Sequence, residues 1–462
     1  MPATAVTTSS SASNGADSAA KAAEVLLRWP REVPLAALVS GGGERAQNSW
    51  SVFAAPRETV VIDGSLSAED AIAALDKALA RTPRGGAAVA ATNSSARTPP
   101  FDGGWVVALG YGLGACFEPH VGAPRRHDDE GHGGATAPHA VLHWCEDAWC
   151  LDHATGELHA VGRPPALAAV SAAETHASRA WSLSPLVPDA PDAAYAANVA
   201  RVVEYIRAGD AFQANVARRF SADFAGDLRS FAHAAISRNG AWFGAAIDLP
   251  GGGCLVSMSP ELFLRVRPDG SVVTRPIKGT RPSDVDAREL VDSGKDAAEL
   301  AMIVDLMRND LGRVAEIGSV RVAQARVLET HSTVHHGVAE VSARLREDLS
   351  WRELLAATFP PGSVTGAPKV RAMQIIDELE PCARGFYCGA IGFIARSGHA
   401  ALSVAIRTAQ VDGANADAGT GAGALRKVAY HAGCGIVVES VPAAEVAETH
   451  AKARAIARLS RG

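Results

Sequence analysis

Lys278 lies in the pentapeptide Pro276-Ile277-Lys278-Gly279-Thr280, one hairpin beyond Glu261. An amine and a carboxylic acid brought together can divide nucleophilic attack and proton donation between them. Glu261 to Arg267 reads as a strand, Pro268-Asp269-Gly270-Ser271 as a turn and Val272 to Ile277 as the return strand. Asp-Gly favours a two-residue type I′ loop, whose central residues both need positive φ. That loop pairs Arg267 with Val272 and, counted back, Glu261 with Lys278. Directly opposed side chains lie about 5 Å apart. A free lysine, with a pKa of ~10.4, is neutral in only about one molecule in a few thousand at pH 7. Burial or a nearby cation lowers this by about 2–3 units, roughly 3–4 kcal/mol, and makes a nucleophile. Burial moves Glu261 the other way, toward the protonated form a general acid needs. The same spacing also suits an ordinary cross-strand salt bridge.

Two acidic pairs have the i, i+3 spacing of one helix face. Asp296 and Glu299 open a helix over 295–311 capped by Ser293; Glu445 and Glu448 lie on the last helix, which starts at Ser440-Val441-Pro442. Four carboxylates from two helices can hold a Mg²⁺ that keeps waters and takes a substrate carboxylate. Each pair alone also suits a helix-dipole role, or a surface pair such as Glu448 with Lys452. An anion-binding set comprises Tyr387, Arg407, the Gly433-Cys434-Gly435 turn and Lys452. Arginine grips a carboxylate through two parallel hydrogen bonds, and glycines let backbone N–H groups approach an anion. The helix opening at Lys369 offers its N-terminus to an anion as well. His331 and His335 have helical ligand spacing but no H-E-x-x-H motif, so zinc is not indicated.

These groups need a scaffold of mixed strands and helices. Ser67-x-x-Asp70 opens a helix with Ile72, Leu75 and Leu79 on one face. The Pro-rich stretch 182–192 marks a boundary, and the helix after it ends at Gly209. The strand that follows alternates Phe212, Ala214 and Val216 on one face with Gln213 and Asn215 on the other. The first 20 residues read as a disordered tail, 21–180 as an N-terminal region and 190–460 as the catalytic region. A chain of 462 residues is long enough for two lobes or one two-sheet body. A net charge of −6 without a basic run argues against nucleic acid, and no apolar stretch reaches transmembrane length. Seven widely spaced cysteines suit reduced thiols in a cytoplasmic protein.

Taken together, the stretches GDAFQANVARRF (209–220), SPELF (259–263), RPIKGTRP (275–282), KDAAELAMIVDLMRNDLGRV (295–314), VHHGVAEV (334–341), PPGSVTGAPKVRAMQIIDELEP (360–381), RGFYCGAIGF (384–393), AIRT (405–408) and AGCGIVVES (432–440) resemble the chorismate-utilising enzymes. That family includes anthranilate synthase, aminodeoxychorismate synthase, isochorismate synthase and salicylate synthase. The resemblance implies an α/β (α+β) fold of two large, mostly antiparallel β-sheets packed face to face, with helices outside. It implies that Asp296, Glu299, Glu445 and Glu448 surround Mg²⁺ and the ring carboxylate. Gly279, Thr280 and His336 would line the ring, with His336 among the catalytic groups beside Lys278 and Glu261. Tyr387, Arg407 and the Gly433 and Gly435 backbone would hold the enolpyruvyl carboxylate, with Lys452 nearby.

Within the family, lysine at 278 and glutamine at 213 resemble the aminodeoxychorismate synthases; anthranilate synthases usually carry alanine at the first position, and water-adding members a lysine at the second. The implied activity is amination of chorismate to 4-amino-4-deoxychorismate, toward 4-aminobenzoate and folate. The sequence shows no glutaminase-type nucleophile elbow, so ammonia is expected from a glutamine amidotransferase subunit or free ammonium. The alternatives are anthranilate synthase component I and a non-catalytic chorismate-binding scaffold subunit. Cys434 departs from the family's usual alanine, and Ala401 and Val438-Glu439 depart as well.

Overall fold

The computed structural model describes residues 21–41, 49–82, 84, 97–122, 137–168, 180–330, 334–413 and 425–461. The tail expected over 1–20 and His331 lie outside them, as do most of the 121–139 and 412–425 stretches.

Two antiparallel sheets form the body. In the first, Gln213–Gly226 pairs with Arg426–Ile436, and the order continues through Thr408–Val411, Cys254–Ser259, Phe243–Asp248, Ala36–Ser40 and Trp50–Ile62. In the second, Ala140–Asp152 leads through Gly104–Leu109, Ala390–Ala395, Ala400–Val404, Leu262–Val266 and Ser271–Arg275 to Val334–Arg344. The 13-residue strands Trp50–Ile62 and Ala140–Asp152 pair with each other and join the sheets into one hydrogen-bonded series. The facing interiors close on one apolar cluster, with Ala36, Val52 and Ile247 from the first sheet and Val106, Ile391 and Phe393 from the second. Helices cover the outer faces: Phe231 and Ala235 of Leu228–Asn239 pack against Phe224 and Met258, and Ile303 and Met307 of Gly294–Gly312 belong to the cluster of Phe263 and Val341. Each such aliphatic or aromatic side chain stabilises the body by about 1.5–3 kcal/mol through its burial. In each sheet an N-terminal strand pairs directly with a C-terminal one, Ala36–Ser40 with Phe243–Asp248 and Gly104–Leu109 with Ala390–Ala395, so the two regions read from the sequence share one core.

The elements that carry the expected site are β1 (Gln213–Gly226), β2 (Leu262–Val266), β3 (Ser271–Arg275), β4 (Ile277–Pro282), α1 (Gly294–Gly312), β5 (Val334–Arg344), α2 (Lys369–Leu379), β6 (Arg426–Ile436) and α3 (Pro442–Ala457). Ser293 caps α1 by accepting from the Asp296 N–H, as its position implies. Ser67 likewise caps Ala68–Leu79, and Gly209, in the left-handed region, ends the helix Asp192–Ala208.

The hairpin register differs from the expected one. Val266, not Arg267, faces Val272. The Gly270 N–H donates to Arg267 O, the Arg267 N–H donates to Ser271 O, and Gly270 has φ +80°. This is a three-residue loop with a left-handed glycine, the next most common way to close a hairpin. A bulge between Leu262 and Arg265 shifts the pairing again and sets Leu262 opposite Arg275. Lys278 is therefore not the cross-strand partner of Glu261; it belongs to β4, which pairs with β5. His335 and His336 also lie on β5, a strand and not a helix. Gly433, Cys434 and Gly435 are not a turn but consecutive residues of β6, paired with Ala217, Val216 and Asn215.

Candidate active site

The route differs from the one counted along the hairpin, but Glu261 and Lys278 still lie within electrostatic reach of each other. Glu261 precedes β2 and is 4 % exposed. Its backbone N–H donates to Ser259 Oγ at 3.2 Å, and its carboxylate accepts from Ser363 and from the Ile277 N–H. Burial outweighs these donors and the Lys278 charge, and pushes the carboxyl up to about 7. Lys278, the next residue after Ile277, reaches into the cleft from β4. Burial holds its ammonium below the ordinary lysine range, against the opposing pull of Glu299, Glu261 and Glu448; Lys452 adds to the lowering. Burial thus disfavours the charged form of both groups.

Close backbone approach brings the surrounding groups in. A Cβ on Gly435 would lie 2.4 Å from Gln213 Nε2 and 3.1 Å from Lys278 Nζ, so the lysine tip, the amide and β6 converge on one spot. Gln213 is fully buried, and neither amide atom finds a partner among the described residues. Gly279 has φ +80°, and a Cβ there would meet Leu290 Cδ1 at 2.5 Å and Asp296 Cγ at 3.0 Å. Glycine therefore lets the first turn of α1, with Asp296 and Glu299, press against β4. Thr280 Oγ1 lies 2.9 Å from Nδ1 of the buried His336, its cross-strand partner.

The acidic pairs face this cleft from two sides. Asp296 bonds Arg281 at 2.9 Å, and Glu299 lies 3.8 Å from Lys295. Burial raises the Glu299 carboxyl, while the Lys278 and Lys295 charges oppose that rise; Asp296 and Glu445 add to it. On α3, Glu445 is buried, and Glu448 accepts from Lys452 at 2.7 Å. The tightest ligand set among the described residues is not all carboxylate: the Cys434 thiol joins Glu445 and Glu448, their ligand atoms within 4.8 Å of one another. The fit to a divalent cation rests on the Glu445 and Glu448 carboxylates of this set together with Glu299; burial penalises the Glu299 charge, and a bound cation would offset that penalty.

The anion set is partly assembled. Lys452 Nζ donates to Gly433 O at 2.7 Å. The pairing of β6 with Thr408–Val411 ends at Tyr430, so the Gly433 to Gly435 stretch is not continued on that edge by this strand. Tyr387 is buried and stacks on His431, ring centroids 5.3 Å apart. Arg407, at the unusual φ of +50°, is lowered by burial, with Tyr430 the one charge acting against that. Lys369 is committed elsewhere: its ammonium bonds Asp310 at 2.6 Å and Thr358 O at 3.1 Å, so it is not a ready anion ligand. Ser363, and the Cys434 thiol as a ligand beside Glu445 and Glu448, join the site without having been assigned those roles from the sequence. Ser363 stands in the PPGSVTGAPK stretch and Cys434 between two glycines already singled out, so both carried a readable signal.

Among the described residues no helix is long and apolar enough to cross a membrane, and all seven cysteines are free. The chorismate binding enzyme family matches residues 42–458. Aminodeoxychorismate synthase component 1 of Klebsiella aerogenes is 37% identical over 446 residues, covering 91% of this chain and 92% of the relative. Anthranilate synthase component 1 of Pseudomonas aeruginosa is 40% identical over 265 residues, 56% of this chain and 51% of the relative. The crystal structure of anthranilate synthase component I from Streptococcus pneumoniae superimposes with a TM-score of 0.71 at 27% identity, covering 90% of this chain and 94% of that one.

Proposed function

This chain belongs to the chorismate-binding enzymes, and from that membership we propose that it is the component 1 type of aminodeoxychorismate synthase, converting chorismate and ammonia to 4-amino-4-deoxychorismate. The observation that carries the reading is that Glu261 and Lys278 are buried within electrostatic reach of each other, the acid raised and the amine lowered by burial.

Glu261 donates its proton to the departing C4 hydroxyl, which leaves as water. The Lys278 Nζ lone pair attacks C2 as both ring double bonds shift by one position and the C4–O bond breaks. Ammonia then attacks C4, both double bonds shift back, and the C2–N bond to lysine breaks. The proton surrendered by the incoming nitrogen returns to Glu261, so the sum is chorismate plus ammonia giving product plus water. Gln213, beside the lysine tip, offers unpaired amide groups to the incoming nitrogen. His336, oriented by Thr280, lines the ring. Tyr387, Arg407, Lys452 and the Gly433–Gly435 edge hold the enolpyruvyl carboxylate.

Asp296, Glu299, Glu445 and Glu448 would hold Mg²⁺. Bound there, the ion supplies positive charge for the ring carboxylate and disfavours protonation of Lys278. The "component 1" of the Klebsiella aerogenes relative's name supports a partner component, which in this reading is a glutamine amidotransferase supplying ammonia. We place the enzyme in the cytoplasm, where free thiols persist.

Anthranilate synthase component 1 is the competing activity, given the Pseudomonas aeruginosa relative. An assay with chorismate, Mg²⁺ and ammonium, run with and without an aminodeoxychorismate lyase, separates them. The proposal expects 4-aminobenzoate only when lyase is present. Fluorescent 2-aminobenzoate without lyase, or no turnover at high ammonium, contradicts it.

A further inference from the structure

A second cavity, of about 590 Å³, lies apart from the Glu261–Lys278 cleft, with walls drawn from residues 64–68, 111–122, 137–139 and 373–385. That volume is within the roughly 300–1,000 Å³ usual for small-molecule sites. Leu66, Ala115, Val121, Met373 and Ile376 make its wall largely apolar. Its polar groups carry little free charge. Arg384 and Glu380 bond each other at 2.6 Å, and the same guanidinium donates to Asn215 O at 2.5 Å and Val364 O at 3.2 Å. The Cys116 thiol lies 3.7 Å from His139 Nε2, and burial disfavours charge on both, lowering the imidazole and raising the thiol to about 11. Asp377 adds a carboxylate to the wall. A wall with two acids and one cation, the cation already satisfied, disfavours an anionic ligand.

The cavity is wired to the cleft through Arg384. Its guanidinium lies over the Tyr111 ring at 4.5 Å on the cavity side and over Tyr387 at 5.7 Å on the other. The Tyr111 N–H donates to Gly385 O at 2.8 Å, and the Tyr387 N–H to Arg384 O at 3.0 Å. Glu380 accepts from the Ala217 N–H at 2.7 Å, while Arg384 bonds Asn215; both residues are on β1, the strand of Gln213. These contacts tie the Arg384–Glu380 pair to Tyr387 and to β1.

We infer that this cavity is a regulatory site for an uncharged, aromatic-sized molecule, and that its occupancy is coupled through Arg384 to chorismate binding at Tyr387. The binding part stands independently of the activity proposed above; the coupling part rests on it.

Indole is the neutral probe and benzoate its anionic counterpart, titrated by calorimetry into the full chain without chorismate. Saturable indole binding at or below about 1 mM is expected, with benzoate about tenfold weaker or more. Two variants, Ala115→Phe and Ile376→Phe, fill the cavity from opposite walls, and either one that melts as the parent does suffices. Each should weaken indole about tenfold while leaving catalysis without indole intact. In steady-state assays indole should shift KM for chorismate about fivefold or more in the parent and not in the filled variant. Absence of saturable binding, binding that survives filling, or benzoate binding as well as indole overturns the site. Binding with no change in KM overturns the coupling. Failure of chorismate turnover in every assay overturns the proposed activity and leaves the calorimetric result to stand by itself.

Discussion

Gly435 and Lys278 share one pocket floor: a methyl group on the glycine would sit 3.1 Å from the lysine Nζ and 2.4 Å from Gln213 Nε2. The glycine is extended in β6, so the constraint is space and not φ. Gly435→Ala is expected to fold, since both neighbours are side-chain tips able to shift. Displacement of the reacting amine by a fraction of an ångström should lower kcat by about 100-fold. Melting within a few degrees of the parent together with that loss checks the account; unchanged kcat contradicts it.

Glu261, held up to about 7 by burial, gives the activity a basic limb. The group works as a proton donor, so the active form is the protonated one. Activity is present below pH 7 and falls as pH rises through it. Glu261→Gln should abolish the limb and cut kcat by about 10²–10⁴. A pH profile of kcat in parent and variant decides; a parent rate still climbing from pH 7 to 9 goes against the assignment.

Lys369 and Asp310 form a buried pair, 10% and 8% exposed. Burial raises the Asp310 carboxyl to about 6 even with the lysine beside it. Lys369→Met leaves the acid unpaired, and about 3–5 kcal/mol of stability should be lost at pH 8. The fold binds the Asp310 proton more tightly than the unfolded chain, so this contribution is present at low pH and lost as pH rises through about 6. The deficit in urea denaturation should therefore shrink at pH 5. An equal deficit at both pH values speaks against it.

Gln213, buried and unpartnered beside Lys278, should act on the nucleophile more than on the ring. Gln213→Leu is expected to raise KM for ammonium about tenfold or more, with a smaller change in KM for chorismate. Equal effects on both constants would assign the residue to chorismate binding.

Much of this site was legible in the sequence because its chemistry sits in short local patterns. The caps at Ser67 and Ser293 and the stop at Gly209 fell where side-chain hydrogen bonding and left-handed φ demand. The register of the hairpin did not. Asp269-Gly270 is compatible with two loop lengths, and the bulge after Leu262 has no local signal. The Gly433-Cys434-Gly435 run was read as a turn because glycine usually marks one. Here its glycines answer to crowding from β1 and the Lys278 tip, which only the folded sheet reveals. The second cavity was invisible for the same reason, its walls being separated by hundreds of residues.

The central claim is that the amine of Lys278 bonds to the substrate ring. Intact-mass spectrometry of protein incubated with chorismate and Mg²⁺, without ammonia and quenched in acid, tests it directly. The account predicts an increment of one chorismate less one water, absent in Lys278→Ala and discharged by added ammonium. An unmodified mass under conditions where ammonium-dependent turnover proceeds would contradict it and leave Lys278 an electrostatic bystander.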